Sequence, residues 1–190
     1  MNIPFSPPDL SQSEINAVVD VLESGWITTG PKTKEFERQI SEYIGTEKTA
    51  CLSSATASME MTLRLLGIGE GDEVIVPAYT YTASCSVICH VGAVPVMVDI
   101  QPGKPFIDYG LLDDVISDKT KAIIAVDLAG IICDYEKIYE IIERHKEKFT
   151  ANVANPIQQT LGRIAVIADS SHGFGAVRNG MKSGMHADFS

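Results

Sequence analysis

Basic residues are scarce in this sequence. Against 25 aspartates and glutamates stand 15 lysines and arginines, a formal net charge of −10, and no basic stripe interrupts that balance. A phosphodiester backbone is held by clustered positive charge, so nucleic acid is not an expected partner. Cysteine is sparse as well: four residues, Cys51, Cys85, Cys89 and Cys133, are too few for a disulfide scaffold in a chain of 190. Buried free thiols are the expectation. Cys85, Cys89 and His90 lie close together, but zinc normally draws on two separated ligand pairs and the second pair is missing, so core packing is expected there and no metal. Long apolar runs are missing too. No stretch reaches the roughly 18–20 residues of a membrane-spanning helix, and Met1-Asn2-Ile3-Pro4-Phe5 lacks the basic-then-apolar pattern of a signal peptide. These absences describe a cytoplasmic chain with no membrane partner.

What is present suits a packed interior. A hydrophobic share of 45% with 21% charged residues is close to the globular average, and the length fits one large domain or one and a fraction. Ser11-Gln12-Ser13-Glu14 is a capping box, and Ile15, Val18, Val19 and Leu22 recur behind it at helical spacing until Gly25. Phe36, Ile40, Tyr43 and Ile44 mark a second helix stopped by Gly45. From Lys48 the period changes. Strands are expected at 49–53, 73–76, 94–98, 122–126 and 164–168, with helices at 56–66, 82–91, 109–116 and 135–146 between them. Asn152 to Leu161 is polar and contains proline, and reads as a loop. Val177 to Lys182, with Asn179-Gly180 at its centre, reads as a tight hairpin. Strand and helix in strict succession, with several strands apolar throughout, predict a three-layer α/β/α fold around a mostly parallel sheet. Such a sheet binds ligands beyond the carboxyl ends of its strands.

Four features gather at those ends. Ser53-Ser54-Ala55-Thr56-Ala57 exposes backbone amides at the positive end of a helix dipole, which suits an anion; an ordinary helix cap by Ser54 suits the residues equally well. Pro77-Ala78-Tyr79-Thr80-Tyr81 places aromatic rings at the same rim, where a planar ligand could stack. Asp169 closes the last apolar strand and brings one carboxylate to the edge, where it needs a partner: a cationic ring nitrogen, or backbone amides at Ser170 and Ser171. His172 follows three residues on. Gly67-Ile68-Gly69-Glu70-Gly71 lies before a strand and Gly173-Phe174-Gly175 precedes a hairpin, so neither has the strand-turn-helix order of a dinucleotide site.

Taken in order, Ser24 to Pro31, Ser53 to Ala57, Gly69 to Pro77, Asp127-Leu128-Ala129-Gly130, Ile167 to His172 and Ala187-Asp188-Phe189-Ser190 run the length of the chain. This ordered set resembles the pyridoxal-phosphate enzymes of the aspartate aminotransferase superfamily, and within it the DegT-like nucleotide-sugar aminotransferases. The resemblance implies that Ala55, Thr56 and Ala57 form the phosphate-binding turn, that Tyr81 stacks on the ring, that Asp169 faces the pyridine nitrogen and that His172 lies near the phenolic oxygen. It implies pyridoxal 5'-phosphate as cofactor and transfer of an amino group, from L-glutamate, to a keto carbon of a nucleotide-linked sugar, in a homodimer. Two further readings stand beside it: a sugar dehydratase of the same family, with histidine in place of the lysine, and a non-catalytic module that binds cofactor or a partner. The family's Schiff-base lysine is expected shortly after the segment resembling Ala187 to Ser190, and no lysine of the chain falls in that context. Residues 1–190 therefore read as an N-terminal segment and an incomplete large domain, without the C-terminal small domain.

Overall fold

The computed structural model describes residues 7–190, which divide into two units. The first comprises the chain up to Tyr43 together with Glu47–Cys51. Its first helix, α1 (Gln12–Glu23), opens on the expected capping box: Ser11 Oγ accepts from the Ser13 amide at 3.1 Å, and the Glu14 carboxylate accepts from the Ser11 amide at 2.6 Å. The next helix, α2 (Pro31–Ile44), opens on a proline, at the position where a missing amide costs nothing. Thr49 to Ser53, expected as a strand, is not one. Side chains of α2 hold this segment instead, Glu37 accepting from the Cys51 amide at 2.8 Å and Ser41 sharing a 2.8 Å hydroxyl contact with Thr49. A short apolar run carries no information about whether a neighbouring strand is available to pair with it.

The second unit, Ile44–Thr46 and Leu52–Ser190, is built on alternating strands and helices. In chain order these are α3 (Ala55–Leu65), β1 (Glu73–Pro77), α4 (Thr82–His90), β2 (Val94–Val98), α5 (Leu112–Val115), β3 (Thr120–Val126), α6 (Tyr135–Arg144), α7 (Pro156–Leu161), β4 (Ala165–Asp169), β5 (Val177–Arg178) and β6 (Met181–Lys182). The first four strands form one sheet in the order β2-β1-β3-β4, every pair parallel. β5 and β6 are the expected hairpin, with both Asn179 and Gly180 at positive φ.

Alternate residues of each strand serve opposite cores. Val74, Val76, Ile124 and Ile167 pack with Met59 and Leu63 of α3 and Val87 and Ile88 of α4. Ile75, Ile123, Val166 and Ala168 pack on the other face with Leu112 of α5 and Ile138, Ile141 and Ile142 of α6. With both faces covered the strands are apolar throughout, and the layers are α/β/α as the sequence implies.

Two elements differ from expectation. The 109–116 helix is a 3-10 turn, Tyr109–Leu111, followed by the single α turn of α5. The loop expected at 152–161 contains α7, whose N-terminus is capped by Asn155, accepting from the Ile157 and Gln158 amides at 3.1 and 3.0 Å. Pro156 opens this helix and Gly162, at φ 60°, ends it. The helix is anchored by buried Gln158, which donates to the Leu66 carbonyl at 2.6 Å and accepts from the Asn152 amide at 2.9 Å. Six residues are too few to display a helical period; the caps were the readable signal.

Beyond β4, Phe189 forms a parallel bridge with Ile167. Asp188 secures that return: it takes a two-pronged contact from Arg163 at 2.7 and 2.8 Å and accepts the Val166 amide at 2.8 Å. The Arg163 guanidinium lies 4.7 Å from the centre of the Tyr139 ring. The Ala187 to Ser190 motif is thus explained, in this chain, by what it does for the sheet.

Candidate active site

A cleft of about 210 Å³ opens where β1, β3 and β4 end, lined among others by Ala55, Thr56, Thr80, Tyr81, Asp169 and His172. Five of the six residues singled out from the sequence, Ala55, Thr56, Tyr81, Asp169 and His172, therefore share one cavity. A second recess of about 230 Å³ adjoins it through Ala55 and Asp169 and reaches Ser190. Ala57 lines neither recess. Its amide donates to Ser54 Oγ at 3.1 Å, so the cap reading of Ser54 holds for that amide, while Ala55 and Thr56 face the cleft at the helix start. Tyr81 is 79% exposed and stands at the rim as the residue preceding α4.

Asp169 is the last residue of β4 and only 7% exposed. Its partners are hydroxyls rather than the backbone alone. Oδ2 accepts from Ser84 Oγ at 2.7 Å, and Oδ1 accepts from Ser171 Oγ at 2.6 Å and from the Ser171 amide at 3.3 Å. Ser84, fully buried on α4, in turn sits 2.8 Å from Thr80 Oγ1. A carboxylate offers about four lone-pair directions. Three contacts of this kind fix the plane of the group and leave it an acceptor direction, so Asp169 is an oriented acceptor on the wall of the cleft. Reading the sequence missed Ser84, because it lies 85 positions from its partner. No local signal in the sequence marks it out.

A second carboxylate, Asp127, follows β3 and is completely buried. Oδ1 accepts from the Cys133 amide and from Tyr135 Oη, each at 3.0 Å; Oδ2 accepts from Ser183 Oγ at 2.9 Å and Ser170 Oγ at 3.2 Å. Its own amide donates to the Asp169 carbonyl at 3.0 Å. Burial pushes the Cys133 thiol up to about 12, and the Asp127 charge adds to the shift. Burial, again reinforced by Asp127, holds the Tyr135 phenol well above its ordinary range. Gly173 is required here by close approach: a Cβ on it would lie 2.6 Å from Ser183 Oγ and 2.9 Å from Asp127 Cβ. The cysteines do not follow the expectation of buried thiols. Only Cys133 is buried; Cys51 and Cys85 are half-buried and Cys89 is exposed. His90 is bound to Glu60, Nδ1 to Oε2 at 2.9 Å.

An anion-favouring helix start and an oriented, nearly buried carboxylate lie on one cleft at the carboxyl ends of a parallel sheet, a combination suited to a small ligand that is anionic at one end and cationic at the other. The fold is that of pyridoxal-phosphate-dependent transferases, as comparison with known proteins shows. The chain belongs to the DegT/DnrJ/EryC1/StrS aminotransferase family, whose profile matches residues 8–190. It is 39% identical over 178 residues, 94% of this chain and 42% of the relative, to the UDP-4-amino-4-deoxy-L-arabinose–oxoglutarate aminotransferase of Shewanella sediminis (strain HAW-EB3). Among solved structures it is 56% identical to Spr1654 of Streptococcus pneumoniae, assigned as a sugar aminotransferase, with a TM-score of 0.96 over all of this chain and 49% of that one in its PLP form. A GDP-4-keto-6-deoxymannose-3-dehydratase with a trapped PLP-glutamate geminal diamine matches at 25% identity and TM-score 0.81, over 96% of this chain and 45% of that one. The chain spans less than half the length of these relatives. Among the described residues no helix is long and apolar enough to cross a membrane.

Proposed function

We propose that this chain supplies the cofactor-binding large domain of a pyridoxal-phosphate-dependent aminotransferase that moves an amino group, from L-glutamate, onto the keto carbon of a nucleotide-linked sugar. The observation that carries the reading is Asp169. A carboxylate held by two hydroxyls at the end of a core strand is oriented to accept a hydrogen bond from a protonated ring nitrogen. The residues of the cleft fit the remainder of that cofactor. Ala55 and Thr56, at the start of an eleven-residue helix, present amides and a positive dipole end to a phosphate. Tyr81 offers a ring face at the rim, and His172 lies within the same cavity to meet the phenolic oxygen. When bound, pyridoxal phosphate supplies an electron sink for the carbanion left as an amine loses its α-proton. Asp169 keeps the ring nitrogen protonated, Ser84 and Ser171 keep Asp169 in plane, and the walls of the cleft orient the ring. A homodimer in the cytoplasm is the assembly and compartment we infer for the enzyme.

The test is amino transfer by the complete gene product. Incubated with pyridoxal phosphate, L-glutamate and UDP- or GDP-linked keto sugars, it is expected to form 2-oxoglutarate and an amino sugar in equal amounts. No 2-oxoglutarate with any keto sugar, in a protein that binds the cofactor, overturns the transfer reading. Loss of a sugar hydroxyl instead would assign the dehydratase reading, which the similarity to the GDP-4-keto-6-deoxymannose-3-dehydratase supports.

A further inference from the structure

We propose that Asp127 is a positioning residue of this site and that its negative charge, not only its hydrogen bonds, favours a cationic ring beside Asp169. The inference rests on the cofactor reading above. Five contacts hold Asp127, two of them at the exit of β4: its amide donates to the Asp169 carbonyl, and its carboxylate accepts from the Cys133 amide and the hydroxyls of Tyr135, Ser170 and Ser183. All four donors to the carboxylate are uncharged.

That donor set does not by itself call for a charge. An asparagine of the same shape could accept from the Cys133 amide and Tyr135 Oη through its carbonyl oxygen. Its NH2 could donate to Ser170 and Ser183, whose hydroxyls rotate to accept. A fully buried carboxylate is costly where a neutral amide would complete the same bonds. The charge therefore has a use outside the network. The ligand cleft is the adjacent candidate: Val126 and Leu128, on either side of Asp127, both line it, and Ser170, the residue following Asp169, donates to Asp127. In a poorly screened interior a carboxylate acts beyond hydrogen-bond range. Two carboxylates at neighbouring strand ends bias the cleft toward a positively charged ring, Asp169 by contact and Asp127 through its field. Through Ser170 and Ser183, Asp127 also holds the loop after β4 to the segment that returns along it.

The test compares two ligands on the complete gene product by fluorescence titration: pyridoxamine 5'-phosphate, and its 1-deaza analogue in which carbon replaces the ring nitrogen. The unsubstituted chain is expected to prefer the nitrogen ligand. In D127N that preference falls about tenfold while affinity for the deaza analogue stays within about twofold. A merely structural role would weaken both ligands alike, and that result, or an unchanged preference in folded D127N, overturns the role of Asp127 alone. Should D127N fail to fold, D127S decides, because it is neutral and smaller: a preference reduced about tenfold supports the charge, and an unchanged preference overturns it. An unsubstituted complete protein that binds neither ligand overturns the cofactor reading itself, and this inference with it.

Discussion

Helices α1 and α6 carry the same message in sequence and meet different fates. Ile15, Val18, Val19 and Leu22 of α1 repeat at three- and four-residue spacing, as do Tyr135, Ile138, Ile141 and Ile142 of α6. On α6 those side chains are at most 4% exposed, against the sheet. On α1 they are 43–63% exposed and none is buried. Periodicity announces that a helix has an apolar face. It does not say what that face meets, and only the packed face contributes the burial that stabilises a fold.

The comparison can be broken first at its strong end. Ile138→Ala or Ile142→Ala removes a fully buried side chain and should cost about 2–5 kcal/mol by urea unfolding. A cost below about 1 kcal/mol would mean that α6 does not belong to the core. A comparable effect is expected from alkali. Burial raises Cys133 from an ordinary value near 9 to about 12, and Tyr139 of α6 from 10 to about 12. A raised value means that the fold favours the neutral form. The stability from Cys133 is thus complete below pH 9 and is lost as pH climbs from 9 toward 12. The urea midpoint should fall steeply over that window, and less steeply in Cys133→Ala. Smaller again is Asn155→Ala, which uncaps α7 at a cost of about 1 kcal/mol. The smallest effect belongs to α1: Val18→Ala, at 60% exposure, should stay within about 0.5 kcal/mol. A loss near that of Ile138→Ala would show that the α1 face is covered in the protein as it exists in solution.

Much of this molecule was readable from local signals. The parallel sheet was legible because four fully apolar or β-branched runs alternated with helical periods. The hairpin was legible because Asn179-Gly180 supplies two positive φ angles. Asp169 stood out as an acidic residue closing the last apolar strand. What stayed hidden was non-local or short. The strand expected at Thr49–Ser53 had the composition but no partner strand among the described residues, and α7 had caps but too few residues for a period. Ser84 and Ser183 are ordinary serines until the fold brings them 2.7 and 2.9 Å from Asp169 and Asp127. Asp127 could be seen as part of a motif, but not as the acceptor of four donors from three separate segments.

Whether Asp169 holds a protonated ring can be measured on the bound ligand. Pyridoxamine 5'-phosphate labelled with nitrogen-15 in the ring, titrated with the chain at a pH where the free ligand's ring nitrogen is neutral, should show the resonance of a protonated pyridine. Asp169→Ala should return it to the unprotonated position. A bound ligand whose ring nitrogen resonates as neutral in the unsubstituted chain, and is unmoved by that substitution, would contradict the assignment of Asp169 and with it the site.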